Sequence, residues 1–162
     1  MTCSADVLAE LRSVEDPELP VSIVDLGMVK EVVETDGRTV VTLVPTFLGC
    51  PAQMFIEHDV IEAVSRVRAG DVEVRWSSDD WSLDDVTPLA RERLREFGVA
   101  MPDDEGHLAC PHCGSHRLRI ESDWGSTLCR KTAYCPTCQT PVEVMKAPMA
   151  KPVVVRLARH DR

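Results

Sequence analysis

Residues 39–68 read TVVTLVPTFLGCPAQMFIEHDVIEAVSRVR, and a change of period inside them decides the fold. Thr39 to Val44 is a run rich in β-branched residues, which is strand chemistry, and Pro45 stops it because proline cannot donate to a ladder. From Pro51 to about Arg68, Ile56, Val60, Val64 and Val67 recur at steps of three and four, with Glu57, Asp59, Glu62 and Arg66 between them. That spacing predicts a helix with one buried face. Pro51 suits the first helical position, where its fixed φ and missing N–H cost nothing. Cys50 then falls at or next to the helix N-cap, where free amides and the helix dipole favour a thiolate over a thiol. A thiol there can attack, accept sulfur or hold a soft metal. Equally, it can be a small buried residue, as most free cysteines are.

Working outward, Ala5 to Val14 reads as a short helix with Val7, Leu8, Leu11 and Val14 on one face and Ser4 or Asp6 as its cap. Glu15-Asp16-Pro17-Glu18-Leu19-Pro20 forbids its continuation, and Asp25-Leu26-Gly27 adds a turn. Val29 to Glu34 and Thr39 to Val44 are joined by Thr35-Asp36-Gly37-Arg38, a hairpin signal with Asp-Gly at its centre. Gly70 ends the long helix, and Val72 to Trp76 alternates as a third strand. Trp76 and Trp81 flank a polar loop. Thr87 caps a further helix with Pro88 first, Leu89, Leu94 and Phe97 are expected to face inward, and Gly98 ends it. Residues 1–101 therefore form an α+β domain, a small three-stranded sheet with helices on one face. Pro102 to Gly106 (PDDEG) reads as a linker.

Residues 107–147 carry Cys110-Pro-His-Cys113 and Cys135-Pro-Thr-Cys138, with 21 residues between the pairs. Two CxxC knuckles at this distance complete a tetrahedral four-cysteine site, the spacing of a zinc ribbon. Roughly 40 residues with few large apolar groups cannot hold a fold unaided, so the metal would supply the folding energy. Zinc and a rubredoxin-like iron use the same four thiolates, and both remain open. Four thiolates leave no open position, so the metal is structural. His112 and His116 beside the first knuckle are more often solvated or packing residues than ligands. Cys129 packs in the ribbon or is a functional thiol, and Cys3 lies in a terminus that frays.

The chain has 162 residues, 44% of them hydrophobic, and a net charge of −9. Residues 1–105 hold 23 acids and 9 bases; residues 106–162 hold 4 and 9. The acidic first part has no basic stripe to neutralise phosphates, which argues against nucleic-acid binding there. A ribbon docking on nucleic acid would rest only on the basic tail, beside an acidic domain that repels phosphate. No apolar run is long enough to span a bilayer and the N-terminus does not resemble a secretion signal, so a soluble cytoplasmic protein is expected. Seven cysteines in that setting point to metal or reactive thiols before disulfides.

DPELP at 16–20, DLG at 25–27 and Thr46 followed by GCP at 49–51 resemble the MIP18 (DUF59) family of metal-sulfur cluster assembly proteins. Trp76-Ser77-Ser78-Asp79-Asp80-Trp81, the helix through Arg91 and Leu94, Gly98-Val99-Ala100-Met101-Pro102 and Gly125-Ser126-Thr127-Leu128-Cys129 are similar to a narrower branch. That branch is the PaaD accessory proteins of the phenylacetyl-CoA epoxidase system. The resemblance covers roughly residues 5–147 and leaves 148–162 unassigned. It implies that Cys50 is a sulfur or metal contact through which iron or an iron-sulfur cluster passes. It also implies that Asp16, Glu18 and Thr46 gather around Cys50 as oxygen ligands or hydrogen-bond partners. On spacing alone, Asp16-Pro17-Glu18 is a turn with solvated carboxylates.

Three functions follow. The first is an accessory factor of aerobic phenylacetate degradation that helps mature the iron centre of the epoxidase oxygenase, or the cluster of its reductase, through Cys50. A general cluster-assembly factor would use the same chemistry. The second is a metal-independent interaction module that docks those subunits. The third, independent catalysis by a Cys50 nucleophile, lacks a base in sequence, since His58 falls two turns along the helix. An exposed Cys50 could also let two thiols of a homodimer share one ligand.

Overall fold

The computed structural model describes residues 5–103 and 105–147. Cys3, the Ser4 cap and the tail 148–162 lie outside the described residues. The chain runs α1 (Ala5–Leu11), β1 (Val29–Thr35), β2 (Arg38–Leu43), α2 (Gln53–Ser65), β3 (Asp71–Trp76), α3 (Pro88–Glu96), β4 (Val99–Ala100), β5 (Arg119–Ser122), β6 (Arg130–Cys135) and β7 (Thr140–Met145).

The first sheet has the order β1-β2-β3. β1 and β2 form an antiparallel hairpin through the Asp36-Gly37 turn, and β3 runs parallel to β2. A parallel neighbour requires a crossover, and α2 supplies it. β2 is central because its side chains alternate with the pleat: Thr39, Val41 and Leu43 are buried. Ile56, Val60, Ala63 and Val64 of α2 share the same core with Val7 and Leu11 of α1.

Two helix readings need correction. α2 begins at Gln53, with Ala52 in the N-cap position and no side-chain cap, so Cys50 stands two residues before the cap. Pro51 and Ala52 form a turn that leads into the helix rather than its first turn. In α3, Thr87 caps by accepting from the Ala90 N–H and Pro88 takes the first position, as expected. However, Ala90 and Leu94 face inward, while Leu89 and Phe97 are each about half exposed. The cap fixes the rotation of the helix. Ala90 and Leu94, four apart, take the core stripe, and Leu89 lies a full 100° away from Ala90.

The second sheet has the order β4-β7-β6-β5. β6 and β7 form an antiparallel hairpin, and the two-residue β4 pairs parallel to β7 through Val99 with Glu143 and Ala100 with Val144. Its core is small: Ala100, Cys110, Ala133, Cys135, Val142 and Val144. Alternation along β4 and β7 joins this sheet to the first unit. Ala100 and Val144 face the small core, whereas Val99 and Met145 enter the large one. Arg91 of α3 adds two ties, donating to the Leu83 carbonyl at 2.7 Å and the Pro102 carbonyl at 3.1 Å.

Candidate functional site

The four ribbon cysteines converge. Their sulfurs all lie within 4.8 Å of one another, and the Cys110–Cys138 and Cys113–Cys135 Sγ pairs are 3.7 Å apart. A tetrahedron with 2.3 Å metal–sulfur bonds has edges of about 3.8 Å, so the cage fits a metal ion. Each knuckle is shaped by its backbone. Gly114 N–H donates to the Cys110 carbonyl at 2.8 Å, and the residue after each pair adopts a left-handed φ, +73° at Gly114 and +58° at Gln139. N–H groups of Cys138 and Thr137 face the Cys135 sulfur and help bring its pKa down to about 6. The Ser115 N–H favours the Cys113 thiolate, but desolvation and hydrogen bonding with the neighbouring sulfurs carry that thiol up to about 12. Four sulfurs this close cannot all ionise without a cation between them.

The second cluster centres on Cys50. Cys50 N–H donates to the Phe47 carbonyl at 3.2 Å, which closes a turn with Gly49 at φ +79° in its third position. Only glycine takes that conformation without strain. The turn folds Cys50 inward until it is 8% exposed. Asp16 and Glu18 come from the loop between α1 and β1, which the Glu15–Ser22 bridge and the Asp16 N–H to Val21 carbonyl bond (3.0 Å) hold shut. Asp16 Oδ1 accepts from the Glu18 N–H at 2.8 Å, so the DPE stretch is a turn, and Asp16 is nevertheless buried, with 7% exposed.

Burial decides the electrostatics. It raises the Asp16 carboxyl above its usual range, against the opposing Glu18 and Leu19 amides and the Arg130 charge. Burial, then the Asp16 charge, raises Glu18. Burial also raises Cys50; the Ala52 N–H opposes it, while Glu18, Cys129 and Asp16 add to the rise. The helix start therefore does give Cys50 an amide, but the expected thiolate is not the free state: burial among acids outweighs it. A bound cation would reverse that balance.

Asp16, Glu18 and Cys50 are thus brought into one electrostatic neighbourhood. Thr46 is half-buried and lines an adjoining cleft of about 450 Å³, together with Phe47, Leu48, Trp81, Trp124 and Lys146. His58 is exposed on α2 beside Asp59 and Glu62. Cys50 is 8% exposed, where a site shared between two copies was expected to use an exposed thiol.

Sequence reasoning missed how the second unit reaches this cluster. Cys129, just before β6, is 3% exposed and belongs to neither the knuckles nor the small ribbon core. Its signal was a cysteine off the CxxC pattern, preceded at two residues by a threonine. Lys146 fastens the two parts. Its N–H donates to the Cys129 carbonyl at 2.9 Å, its Nζ to the Leu128 carbonyl at 2.8 Å, and the ammonium lies 5.1 Å from the Phe47 ring and 4.2 Å from the Trp124 ring.

A family model described as an iron-sulfur cluster assembly protein matches residues 4–76, which hold Asp16, Glu18, Thr46 and Cys50. A second, described as the PaaD zinc beta ribbon domain, matches residues 96–146. A relative from Escherichia coli (strain K12), named as the D component of a putative 1,2-phenylacetyl-CoA epoxidase, is 36% identical across 87% of this chain and 91% of its own length. The chain belongs to the PaaD family. Just over half of this PaaD-family chain is also similar to shorter proteins. The Fe-S protein maturation auxiliary factor of Porphyromonas gingivalis is 35% identical, over 57% of this chain and 89% of its own. A crystal structure of a DUF59 domain from Bacillus anthracis is 33% identical with a TM-score of 0.51, over 54% of this chain and 87% of that one. The PaaD-family chain therefore joins an iron-sulfur assembly unit to a cysteine ribbon, and its role is accessory to iron-sulfur assembly. No helix among the described residues is long and apolar enough to cross a membrane.

Proposed function

We propose that this chain is a maturation factor that accepts iron or an iron-sulfur cluster as cargo at Cys50 and delivers it to a multicomponent phenylacetyl-CoA epoxidase, to the oxygenase iron centre or the reductase cluster. The observation that carries the reading is a buried Cys50 thiol that feels the Asp16 and Glu18 charges inside the assembly unit. Sulfur and oxygen groups of the kinds that iron accepts thus share one neighbourhood, without forming a closed donor cluster among the described residues. The free Cys50 thiol holds its proton, so it takes up a cation by releasing it, and competition between proton and metal makes the binding reversible. The ribbon's four thiolates hold zinc as a structural ion; a rubredoxin-like iron is the other occupant that this donor set accepts. The E. coli relative's name supports the epoxidase as the recipient.

The test is maturation in cells. Epoxidase subunits purified from cells whose only copy of this protein carries Cys50→Ser should contain far less iron than those from wild-type cells. Full iron content and activity with Cys50→Ser would remove the reading. A second reading, a metal-independent docking protein, is favoured by the exposed Leu48, Met54, Phe55 and Trp124, which lie in the Cys50 turn, in α2 and on the cleft rim. It requires that the epoxidase subunits be retained on Cys50→Ser protein and mature normally with it.

A further inference from the structure

The cleft beside the Cys50 turn combines a fixed lining with exposed apolar side chains. Trp81 is the buried part of that lining, and its Nε1 donates to the Leu26 carbonyl at 2.7 Å. Phe47 and Leu48, from the turn that closes on Cys50, line it from the first unit, and Trp124 lines it from the ribbon. Lys146 bridges the two contributions, as its ammonium lies against both the Phe47 and the Trp124 rings. The backbone at Trp124 is fixed as well. Its N–H donates to the Ser122 hydroxyl and its carbonyl accepts from the Thr132 hydroxyl, each at 3.0 Å. Yet Leu48 is 70% exposed and Trp124 64%. Large apolar side chains held in place but left in water add little to the fold, and beside a preformed cleft they mark a surface that another molecule covers.

The charge around the cleft is acidic on balance. Lys131 is paired with Asp123 at 2.9 Å, and the Lys146 ammonium is engaged by the Leu128 carbonyl and the two rings. Asp79 and Asp80 add two exposed carboxylates, the first of them oriented by the Ser77 hydroxyl at 2.7 Å. The cleft therefore favours a cationic neighbour over an anionic one.

We propose that this cleft is the docking site for the recipient of the cargo. The occupant is a segment of an epoxidase component that sets an apolar side chain against Leu48 and Trp124 and flanking Lys or Arg side chains against Asp79 and Asp80. The inference rests on the reading of this chain as a maturation factor and adds the surface by which the recipient is recognised. Position and charge both select that occupant. Thr46, Phe47 and Leu48 line the cleft, and the turn that starts at Phe47 ends on Cys50, so a segment seated there lies next to the thiol that releases cargo. The acidic carboxylates disfavour a second copy of a chain whose net charge is −9 and draw a basic segment instead. The ribbon, which supplies Trp124, then takes part in reading the recipient, while the first unit handles the cargo.

The experiment measures affinity and association rate between full-length protein, with zinc in its ribbon, and the purified oxygenase and reductase components of the epoxidase at several salt concentrations. One component should bind the wild type, at a rate that falls as salt rises. Leu48→Ala and Trp124→Ala should each weaken that binding roughly tenfold or more while keeping one zinc per chain and the wild-type dichroism spectrum. Asp79→Lys combined with Asp80→Lys should slow association and remove most of its salt dependence. Replacing Leu48 by photoreactive benzoylphenylalanine, a large apolar group, identifies the occupant. It should cross-link to the bound component at a segment with an apolar residue flanked by Lys or Arg. Cross-links to a second copy of this chain or to its own residues 148–162 would overturn the inference. So would wild-type affinity in both alanine variants, or no binding of either component. Each of these leaves the cargo role of Cys50 standing, because that role is read separately, as epoxidase iron content with Cys50→Ser.

Discussion

At the scale of single residues, the site is governed by a contest between local amides and burial. Cys50 receives the Ala52 N–H, and Asp16 receives the amides that follow it, yet both pKa values rise because the neighbourhood is buried and acidic. Two outcomes follow. Cys50 should react with a neutral alkylating agent more slowly than a free cysteine at neutral pH, gaining speed only above the ordinary thiol range; a rate at or above the free thiol's would refute its burial among acids. Asp16 has a folded-state pKa above its unfolded value, so the folded protein binds that proton more tightly. The resulting stability is present at acid pH and lost as pH rises through the folded pKa. Asp16→Asn, which keeps an oxygen for the Glu18 N–H, should therefore be more stable than wild type at neutral pH, with the gain shrinking toward pH 4. Urea melts at several pH values measure this. The place of Cys50 in the turn before α2 was legible because the Pro45–Pro51 stretch separates two periods. The sign of its pKa shift was not, because Asp16, Glu18 and Cys129 come to it from distant parts of the chain.

At the scale of elements, most of the first unit was legible from period and punctuation: the β1–β2 hairpin, the α2 crossover and the Thr87-Pro88 start of α3. What failed was rotation and register. Leu89 and Phe97 looked like core by composition, but the cap geometry gives that stripe to Ala90 and Leu94. Thr87→Ala should cost about 1 kcal/mol by thermal or urea unfolding, because the Ala90 N–H loses its acceptor. In the ribbon, Gln139 stands where the first knuckle has Gly114, and holds φ at +58°. Gln139→Gly should stabilise the metal-loaded protein by about 1 kcal/mol, since an L side chain is strained there. A loss of stability would show that the glutamine side chain contributes more than its strain.

At the scale of the whole molecule, the two units form one seam. The CxxC pairs announce the ribbon, but nothing in the sequence announces that a two-residue strand, β4, would pair with β7, or that Met145 would alternate into the larger core. Both depend on contacts between residues far apart in the chain, which short-range period cannot encode. Met145→Ala should cost about 2–5 kcal/mol and destabilise both units together, as read by the urea transition of first-unit tryptophan fluorescence. Because the ribbon core contains few large side chains, chelating its metal should unfold β5 to β7, detected as lost strand dichroism. The central claim, that Cys50 carries iron, is tested most directly by iron and acid-labile sulfide content after anaerobic reconstitution of wild type and Cys50→Ser, each with its ribbon zinc in place. The account predicts iron beyond the ribbon metal in wild type and none in Cys50→Ser. Equal iron in the two proteins would contradict it.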